Sequence, residues 1–509
     1  MRSALGMLAA FGLLVLVLEP ASFGLPGGHH GYVTAHHLAI VRNADTRSHF
    51  VGYVGILEEA PDAPDYFYFN RAPSVFEALV HPLLGPVEAH TQRYVYWGHQ
   101  VMNGVHLLAL FVAFRFLCLL LGDPRRAALA ALAAFSGHYF LYYKNLVEPN
   151  RVGVLAVALV LYGSARLLLE EDRRRFWLAA LAASCMGAAA PAVFALALLN
   201  TLVFATRVEH GGTGRSVAAH LRSPFFAILC ASALISLAFL SYNVLVEAAM
   251  RGVPVAETSV VDGGMRRLGV APGWEENARL GAFAEGQLKM IRRGLVPEAL
   301  YRLAHLGARD EVGRELLEFA GKWLSIVLWL AGFVAVVRWL GRERGPRRLL
   351  IALALLSGPA YMLPLRRVAH FHDFFSTYYV GLNLVFWAAL LRELPGWGGR
   401  AWRGVVAAIV ILSLWSVTRT HLAETPDWPE LAAEVDRARA VVGRGAPRIH
   451  APEGWQVFLD GVPPSLFFFF PDSIVTSVEE DADYLITRHG DPEGEDLLPA
   501  NRMVRVFAP

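Results

Sequence analysis

The chain reads QVMNGVHLLALFVAFRFLCLLL over residues 100–121 and continues with the basic turn Asp123-Pro124-Arg125-Arg126. An α-helix of about 20 apolar residues crosses the hydrocarbon core of a membrane, so this stretch predicts a transmembrane helix. Similar runs recur through most of the 509 residues, of which 55% are hydrophobic and 18% charged, with a mean hydropathy of +0.40. A soluble protein of this length carries more charge. The sequence therefore predicts an all-α polytopic membrane protein.

About eleven apolar runs are long enough to serve as membrane spans. The run at 176–206 is too long for one helix and is interrupted by Pro191, so we divide it into two short spans. The predicted spans are 4–20, 100–121, 126–143, 151–169, 176–190, 191–206, 224–246, 322–340, 348–365, 375–392 and 402–419.

Arginine-rich connections between the spans predict their orientation. With about eleven spans, all of these connections lie on the same side as Arg2, and positively charged loops remain in the cytoplasm. This places the N-terminus inside, and it places the long loops 21–99 and 247–321 outside together with the C-terminal region. Because Arg2 then lies on the basic side, we interpret the first apolar segment as a retained span rather than a cleaved signal peptide. The basic connections are 123–126, 171–175, 207–222, 341–348 and 392–403.

The residues after 420 predict a small soluble α/β domain. Thr425-Pro426-Asp427 is a capping signal ahead of a predicted helix at Trp428–Val442. We therefore divide the chain into a transmembrane domain at 1–420 and an extracytoplasmic domain at 421–509. Short strand patterns follow the helix at 448–450, 483–487 and 503–507.

Charge and cysteine usage exclude some classes of protein. The net charge is +2, which argues against a nucleic-acid partner, because such a partner needs a concentrated basic face. Cys118, Cys185 and Cys230 lie within apolar runs and show no spacing typical of disulfides or metal sites.

Three outer segments carry polar residues that a simple membrane anchor would not need, so the chemistry is expected at this side of the membrane. The first loop holds His29, His30, His36 and His37, then Asp45, and then the acceptor-side candidates Tyr68, Asn70 and Arg71; the segment 142–151 holds Glu148; and the segment 365–374 holds Arg366, Arg367, His372 and Asp373.

This layout resembles the GT-C superfamily of membrane glycosyltransferases, in the branch of protein mannosyltransferases and lipid A aminoarabinose transferases. Members have an acidic base and a Tyr/Phe-x-His-x-Pro-Pro-like element in the first outer loop, and the segment 68–76 takes the place of that element here. The sequence Glu148-Pro149-Asn150 resembles a second acidic element that opens the fourth span. The segment 366–373 matches the late basic segment where the lipid-phosphate donor binds. The resemblance covers roughly residues 1–420.

The resemblance implies a glycosyltransferase that uses a polyprenyl-phosphate sugar donor at the outer face of a bacterial-type inner membrane. Its partners would be this donor, membrane lipid and an acceptor that the sequence does not identify. Arginine matches phosphate with a planar fork, so Arg366 and Arg367, with His372 and Asp373, are the predicted donor phosphate site. For the two arginines, the structural alternative is snorkelling at the membrane interface.

One departure from the family concerns the catalytic base. The family places an acidic pair just after the first span, where this chain has His29-His30-Gly31. Either a histidine replaces the carboxylate, since histidine titrates near neutral pH, or the base is Asp45, or base activity is lost. The histidines could instead make local hydrogen bonds in the loop or bind zinc, although adjacent histidines in a regular element cannot both face one ion.

Glu148 is the fourth catalytic candidate. A carboxylate at a membrane edge could bind a divalent metal or orient the acceptor. It could also serve only as a favourable charge at a helix N-terminus. No cofactor follows with certainty from the sequence, and a divalent metal is the one that the acidic residues would suit.

Two further functions compete with the glycosyltransferase interpretation. A transporter or flippase of lipid-linked intermediates would place ionisable groups at mid-membrane, whereas few such groups occur within these spans. A catalytically inactive GT-C-like scaffold would explain the missing acidic pair.

Overall fold

The computed structural model describes residues 1–18, 28–43, 53–58, 64–68, 75–84, 91–189, 224–259, 261, 280–295, 311–362, 377–393, 398–424, 428–443, 445–451, 470, 473–476, 479–487, 495–498, 501 and 504–508. The helices within these residues are α1 (Arg2–Leu18), α2 (Gly28–Asn43), α3 (Val75–Leu84), α4 (Thr91–Leu121), α5 (Pro124–Phe135), α6 (His138–Tyr142), α7 (Pro149–Glu170), α8 (Arg173–Ala189), α9 (Pro224–Arg251), α10 (Leu280–Leu295), α11 (Glu311–Arg342), α12 (Gly345–Met362), α13 (Val380–Glu393), α14 (Gly398–Glu424) and α15 (Trp428–Val442). The strands are β1 (Tyr53–Glu58), β2 (Pro64–Tyr68), β3 (Arg448–His450), β4 (Ile474–Thr476), β5 (Tyr484–Thr487), β6 (Glu495–Asp496) and β7 (Arg505–Ala508).

The predicted helical membrane architecture is confirmed. The described parts of the predicted spans are helical apart from a break within 126–143, and the predicted span 191–206 lies outside the described residues. Among the described helices, four are long and apolar enough to cross a membrane, and shorter apolar helices lie at Arg2–Leu16, Val75–Leu84 and Val406–Arg419. The total of eleven spans stays a prediction. The four long segments are Gln92–Leu121, Arg151–Glu170, Ala233–Arg251 and Glu311–Arg342.

The predicted span at 126–143 is not one continuous helix. Asp123 caps the first part, α5, by accepting hydrogen bonds from the backbone N–H groups of Arg125 at 2.9 Å and Arg126 at 3.3 Å. The helix then stops at Ser136, and α6 begins beyond Gly137. A Cβ atom on Gly137 would lie 2.0 Å from the Gly294 carbonyl oxygen. The break therefore admits the C-terminal end of α10 into the bundle.

A single mixed sheet joins the first predicted outer loop to the C-terminal region. The strand order is β2-β1-β4-β3-β5-β7-β6. Strand β1 pairs antiparallel with β2 and parallel with β4, in a register that sets Leu57 opposite Val475. The helix and the three strands predicted after residue 420 are present as α15, β3, β5 and β7. The hairpin β1–β2 was not predicted, and it places both regions at the same end of the helical bundle.

The described residues form two large hydrophobic cores. The bundle core is built by α1, α4, α5, α7 and α11–α14. The shared core joins the first-loop helices to the C-terminal region. Val105 on α4 packs against both cores, so this part of α4 marks their boundary. Representative members of the shared core are Ala35, Leu38 and Ile40 of α2, Phe76 of α3, Val147, Val435 of α15, Val475 of β4, Ile486 of β5 and Val506 of β7.

Candidate functional site

Helix α2 carries the four histidines and lies within the predicted outer loop 21–99, where no helix was predicted. From residue 33 to residue 43 every side chain of α2 is buried. A helix buried all round has no water-facing side, and the amphipathic pattern that marks surface helices is therefore missing from its sequence. The backbone of His29 and His30 forms the first turn of α2, while their side chains lie outside the described part of the chain.

His37 on α2 is paired with Glu77 on α3. The distance from His37 Nδ1 to Glu77 Oε1 is 2.6 Å, and both side chains are buried. The Phe76 ring meets the His37 ring edge-on at 5.6 Å between centroids. This pair fixes α3 against α2 and gives the last of the four histidines a structural partner. Glu77 was missed by the sequence reasoning, because it lies in a segment that shows only an apolar helical pattern.

Helix α2 also contacts the connection that carries Glu148. The backbone N–H of Val147 donates to Thr34 Oγ1 at 3.4 Å. On α4, a Cβ atom at Gly98 would lie 2.9 Å from Leu38 Cδ2 and 3.4 Å from Val147 Cγ2. The absence of a side chain at Gly98 thus lets α2, α4 and the Glu148 segment meet at one point. The structure therefore brings together two of the three polar segments singled out in the sequence.

A set of buried polar side chains, here called the polar cluster, lies at this meeting point. Its members come from one face of α4, from the α6–α7 connection and from the start of α7, and all are buried. They are His99, Asn103, His106, Lys144, Asn145, Glu148 and Arg151.

Charges and rings connect the members of the polar cluster. The positive charges of Lys144 and Arg151 lie close enough to act on His106, and the Glu148 charge acts on Arg151. The Arg151 guanidinium lies 5.8 Å from the centroid of the Tyr143 ring, a cation–π distance. The Glu148 carbonyl oxygen accepts from the Arg151 N–H at 3.1 Å, which sets the first turn of α7.

Several atoms of the polar cluster have no hydrogen-bond partner within the described residues. These atoms are Asn103 Oδ1 and Nδ2, His106 Nε2, and Arg151 Nη1 and Nη2. Buried polar groups are nearly always hydrogen-bonded, and an unpaired one is costly. The cluster therefore has the donors and acceptors needed to bind a polar group from outside the described part of the chain.

The residues just before α13 also reach the polar cluster. A Cβ atom on Gly153 of α7 would lie 2.5 Å from the hydroxyl oxygen of Tyr378, a fully buried side chain whose phenol also acts on Arg151. Tyr378 follows the predicted donor segment by a few residues in the sequence. That segment itself, with Arg366, Arg367, His372 and Asp373, lies outside the described residues.

The remaining predicted residues stay predictions. Tyr68 is the last residue of β2, with its side chain outside the described part. Asp45, Asn70 and Arg71 lie outside the described residues altogether. Among the residues that are described, no three His, Cys, Asp or Glu side chains lie close enough to hold a metal ion. A divalent metal at Glu148 would thus need ligands from elsewhere in the chain.

Asn103, His106 and Arg151 are the site residues that the sequence reasoning missed. A signal was present, because Asn103 and His106 interrupt the apolar run at 100–121, and a polar residue within a membrane span is a functional candidate by default.

The fold is similar to that of known membrane glycosyltransferases. ArnT from Cupriavidus metallidurans, solved bound to undecaprenyl phosphate, has a TM-score of 0.57 and 11% identity, over 99% of this chain and 97% of that one. The Archaeoglobus fulgidus oligosaccharyltransferase in its apo form has a TM-score of 0.49 and 13% identity over 94% of this chain. The same archaeal enzyme, AglB, in complex with an inhibitory peptide and a dolichol-phosphate, has a TM-score of 0.47 and 12% identity over 95% of this chain.

At 11% identity, the comparison with ArnT shows a shared fold. The chain spans 65% of the length of the apo archaeal enzyme. No protein-family model and no curated protein matches the sequence.

Proposed function

We propose that this integral membrane protein is a GT-C-type glycosyltransferase that moves a sugar from a polyprenyl-phosphate donor to an acceptor. The observation that carries the proposal is the polar cluster, which gathers buried cations, amides and a carboxylate at one end of the bundle. It occurs in a fold shared with an ArnT structure that holds undecaprenyl phosphate. We place this end of the bundle at the outer face of a bacterial-type inner membrane, with the N-terminus in the cytoplasm.

The reaction needs two kinds of group. An oxygen or nitrogen of the acceptor attacks the anomeric carbon of the sugar, and the bond from that carbon to the phosphate oxygen breaks with its electron pair on the phosphate. A base takes the proton of the acceptor, and cations stabilise the departing phosphate. His29, His30 and Asp45 are the candidate bases. Glu148 would orient the acceptor or hold a divalent metal.

Arg366, Arg367, His372 and Asp373 are the candidate residues for the donor phosphate on the segment before α13. The position of Tyr378 near Arg151 supports this proposal, because Tyr378 follows Asp373 by five residues in the sequence. Tyr68, Asn70 and Arg71 would lie on the acceptor side, next to the hairpin β1–β2.

The proposal is tested by a transfer assay with the purified full-length protein and a panel of polyprenyl-phosphate sugars. Glu148→Gln removes the carboxylate charge and is expected to lower the rate on the order of 10²-fold or more. Glu315→Gln is the matched control, since Glu315 is an exposed glutamate on α11. Full activity of the Glu148 variant contradicts a role for this carboxylate. Movement of intact donor lipid across vesicles, without sugar transfer by the wild-type protein, contradicts the proposed function.

The base is assigned by comparing two variants in the same assay. The double variant His29→Ala/His30→Ala and the single variant Asp45→Asn should differ, with the base variant losing about 10²–10⁴-fold in rate. A histidine base loses activity as the pH falls through its pKa, whereas an aspartate base works to lower pH. Activity retained by both variants would show that neither group is the base.

A further inference from the structure

Helix α7 has a buried arginine near each end, and the two arginines have different surroundings. Arg151 is 3% exposed and Arg166 is 6% exposed. They share one helix, one side-chain type and nearly the same burial. A comparison between them therefore separates what burial requires from what a ligand requires.

Arg166 is neutralised within the chain. Its Nη1 pairs with Glu170 and its Nη2 lies 2.7 Å from Asp172 Oδ2. Both terminal nitrogens of this guanidinium thus contact a carboxylate. This is the usual arrangement for a buried cation, because an unpaired charge in the interior is strongly unfavourable.

Arg151 has no such arrangement within the described residues. Its Nη1 and Nη2 lack a hydrogen-bond partner there. Glu148, one turn earlier, acts on the guanidinium through its charge without a hydrogen bond to either terminal nitrogen. The other near neighbours are the Tyr143 ring and the Tyr378 phenol, which are neutral at physiological pH.

Two side chains one turn apart on α4 add to a set suited to an oxyanion. Asn103 Nδ2 and His106 Nε2 also lack partners within the described part of the chain, and the charges of Arg151 and Lys144 act on His106. A guanidinium with both terminal nitrogens free matches a phosphate or carboxylate with two parallel hydrogen bonds.

We infer that Arg151, with Asn103 and His106, forms a buried anion-binding site for the phosphate of a lipid monophosphate. That the phosphate belongs to a lipid rests on the proposed function. That the ligand is a phosphate rests on the guanidinium of Arg151, whose two terminal nitrogens lack partners within the described residues. The site is built from residues of α4 and α7, whereas the predicted donor residues belong to another part of the sequence, the segment 366–373. A phosphate held here would lie between the bundle core and the shared core.

Binding to the full-length protein in nanodiscs tests the inference, with undecaprenyl phosphate as the probe. The variant Arg151→Gln should weaken binding by at least about tenfold, because it removes two charge-assisted hydrogen bonds. The matched control Arg166→Gln should bind as the wild type does. Undecaprenol, which has no phosphate, should bind to neither with measurable affinity.

Stability in the absence of ligand gives a second readout. Arg151→Gln breaks no hydrogen bond of a terminal nitrogen within the described residues and should melt close to the wild-type temperature, whereas Arg166→Gln breaks two ion pairs and should melt lower. A lower melting temperature for Arg151→Gln together with wild-type lipid binding would show that Arg151 is paired within the chain, which overturns the inference. If Arg151→Gln does not fold, Asn103→Ala replaces it, with the same expected direction of weaker binding.

The remaining outcomes separate the site from the proposed function. Dependence of lipid binding on Arg151 without any sugar transfer supports the site and contradicts the transferase. Transfer that is unchanged in Arg151→Gln, with unchanged affinity, supports the transferase and contradicts the site. If inorganic phosphate stabilises the protein through Arg151 while undecaprenyl phosphate does not bind, the site binds phosphate but not the phosphate of a lipid.

Discussion

The bundle core and the shared core are built from the chain in different ways. The bundle core joins helices whose apolar runs are plain in the sequence. The shared core joins α2 and α3 to α15 and the C-terminal strands, which lie several hundred residues further along the chain. The polar cluster lies where the two cores meet, at Val105 and the start of α7. The site therefore depends on both cores, although only the bundle core is recognisable in the sequence as a set of membrane helices.

The largest effect is expected from removal of the C-terminal region. A chain ending at Glu424 loses α15 and β4, so the shared core loses Val435 and Val475 and β1 loses its parallel neighbour. We expect loss of lipid-phosphate binding and of activity, with the bundle still inserted in the membrane. Limited proteolysis within α2, measured beside proteolysis of the α7–α8 connection, checks this. Wild-type protection of α2 in the truncated protein would contradict the shared core.

A smaller effect is expected when the histidine–glutamate pair of the shared core is broken. His37→Ala leaves Glu77 buried without its partner at 2.6 Å, which costs roughly 3 kcal/mol. The apparent melting temperature and the protection of α2 should both fall. Gln287→Ala is the control, because its partner Tyr379 belongs to the bundle core. If both variants affect α2 equally, the two cores do not behave as separate units.

Two glycines on α4 sharpen the comparison further. Gly98→Ala places a methyl group 2.9 Å from Leu38 Cδ2, whereas Gly104→Ala meets nothing within 4 Å. Overpacking of this kind costs about 1–3 kcal/mol, while alanine in an open helical position gains up to about 1 kcal/mol. Gly98→Ala should therefore lower the apparent melting temperature and Gly104→Ala should leave it equal or higher. The opposite order would show that α2 does not press against α4.

The smallest effect concerns an ion pair at the far end of the bundle. Burial raises the pKa of Glu343, but hydrogen bonds from Arg392 and Trp339 and the nearby arginine charges outweigh it, so that the pKa of this carboxyl is below its ordinary value of 4.5. The stabilisation is thus complete above about pH 4.5 and is lost as the pH falls through the lowered pKa. We expect Glu343→Gln to lower the melting temperature by about 1–2 °C at pH 7, with a smaller difference at pH 3. A difference independent of pH would contradict this assignment.

The helices were predictable where hydropathy alone determines them. The apolar runs at 100–121 and 151–169 correspond to α4 and α7, and the capping signal before Trp428 correctly marks the start of α15. These predictions succeed because burial in lipid requires a long uninterrupted apolar helix, and because a cap is a local feature.

The sequence reasoning failed where burial is shared between distant segments. Helix α2 reads as polar because it carries histidines, Arg42 and Asn43, yet every side chain from residue 33 to residue 43 is buried and His37 pairs with Glu77 of α3. The hairpin β1–β2 is short, and its parallel partner β4 follows about 400 residues later. No local sequence pattern predicts the pairing of β1 with β4.

Of the candidate site, Glu148 was predictable from its place at the start of a span. The unpartnered atoms of Arg151, Asn103 and His106 were not, because a sequence does not show which buried groups lack partners. Arg151 and Arg166 look alike in the sequence and differ only in what surrounds them.

The pairing of β1 with β4 also bears on how the protein matures during synthesis. At a translation rate of about 5–20 residues per second, the roughly 400 residues between these strands take some 20–80 s to be made. During that time β1 and β2 leave a sheet edge open, and such edges favour aggregation. If translation stops before residue 474, β4 is missing and the shared core that packs against α2 is incomplete. The site is therefore complete only when the C-terminal strands have been made.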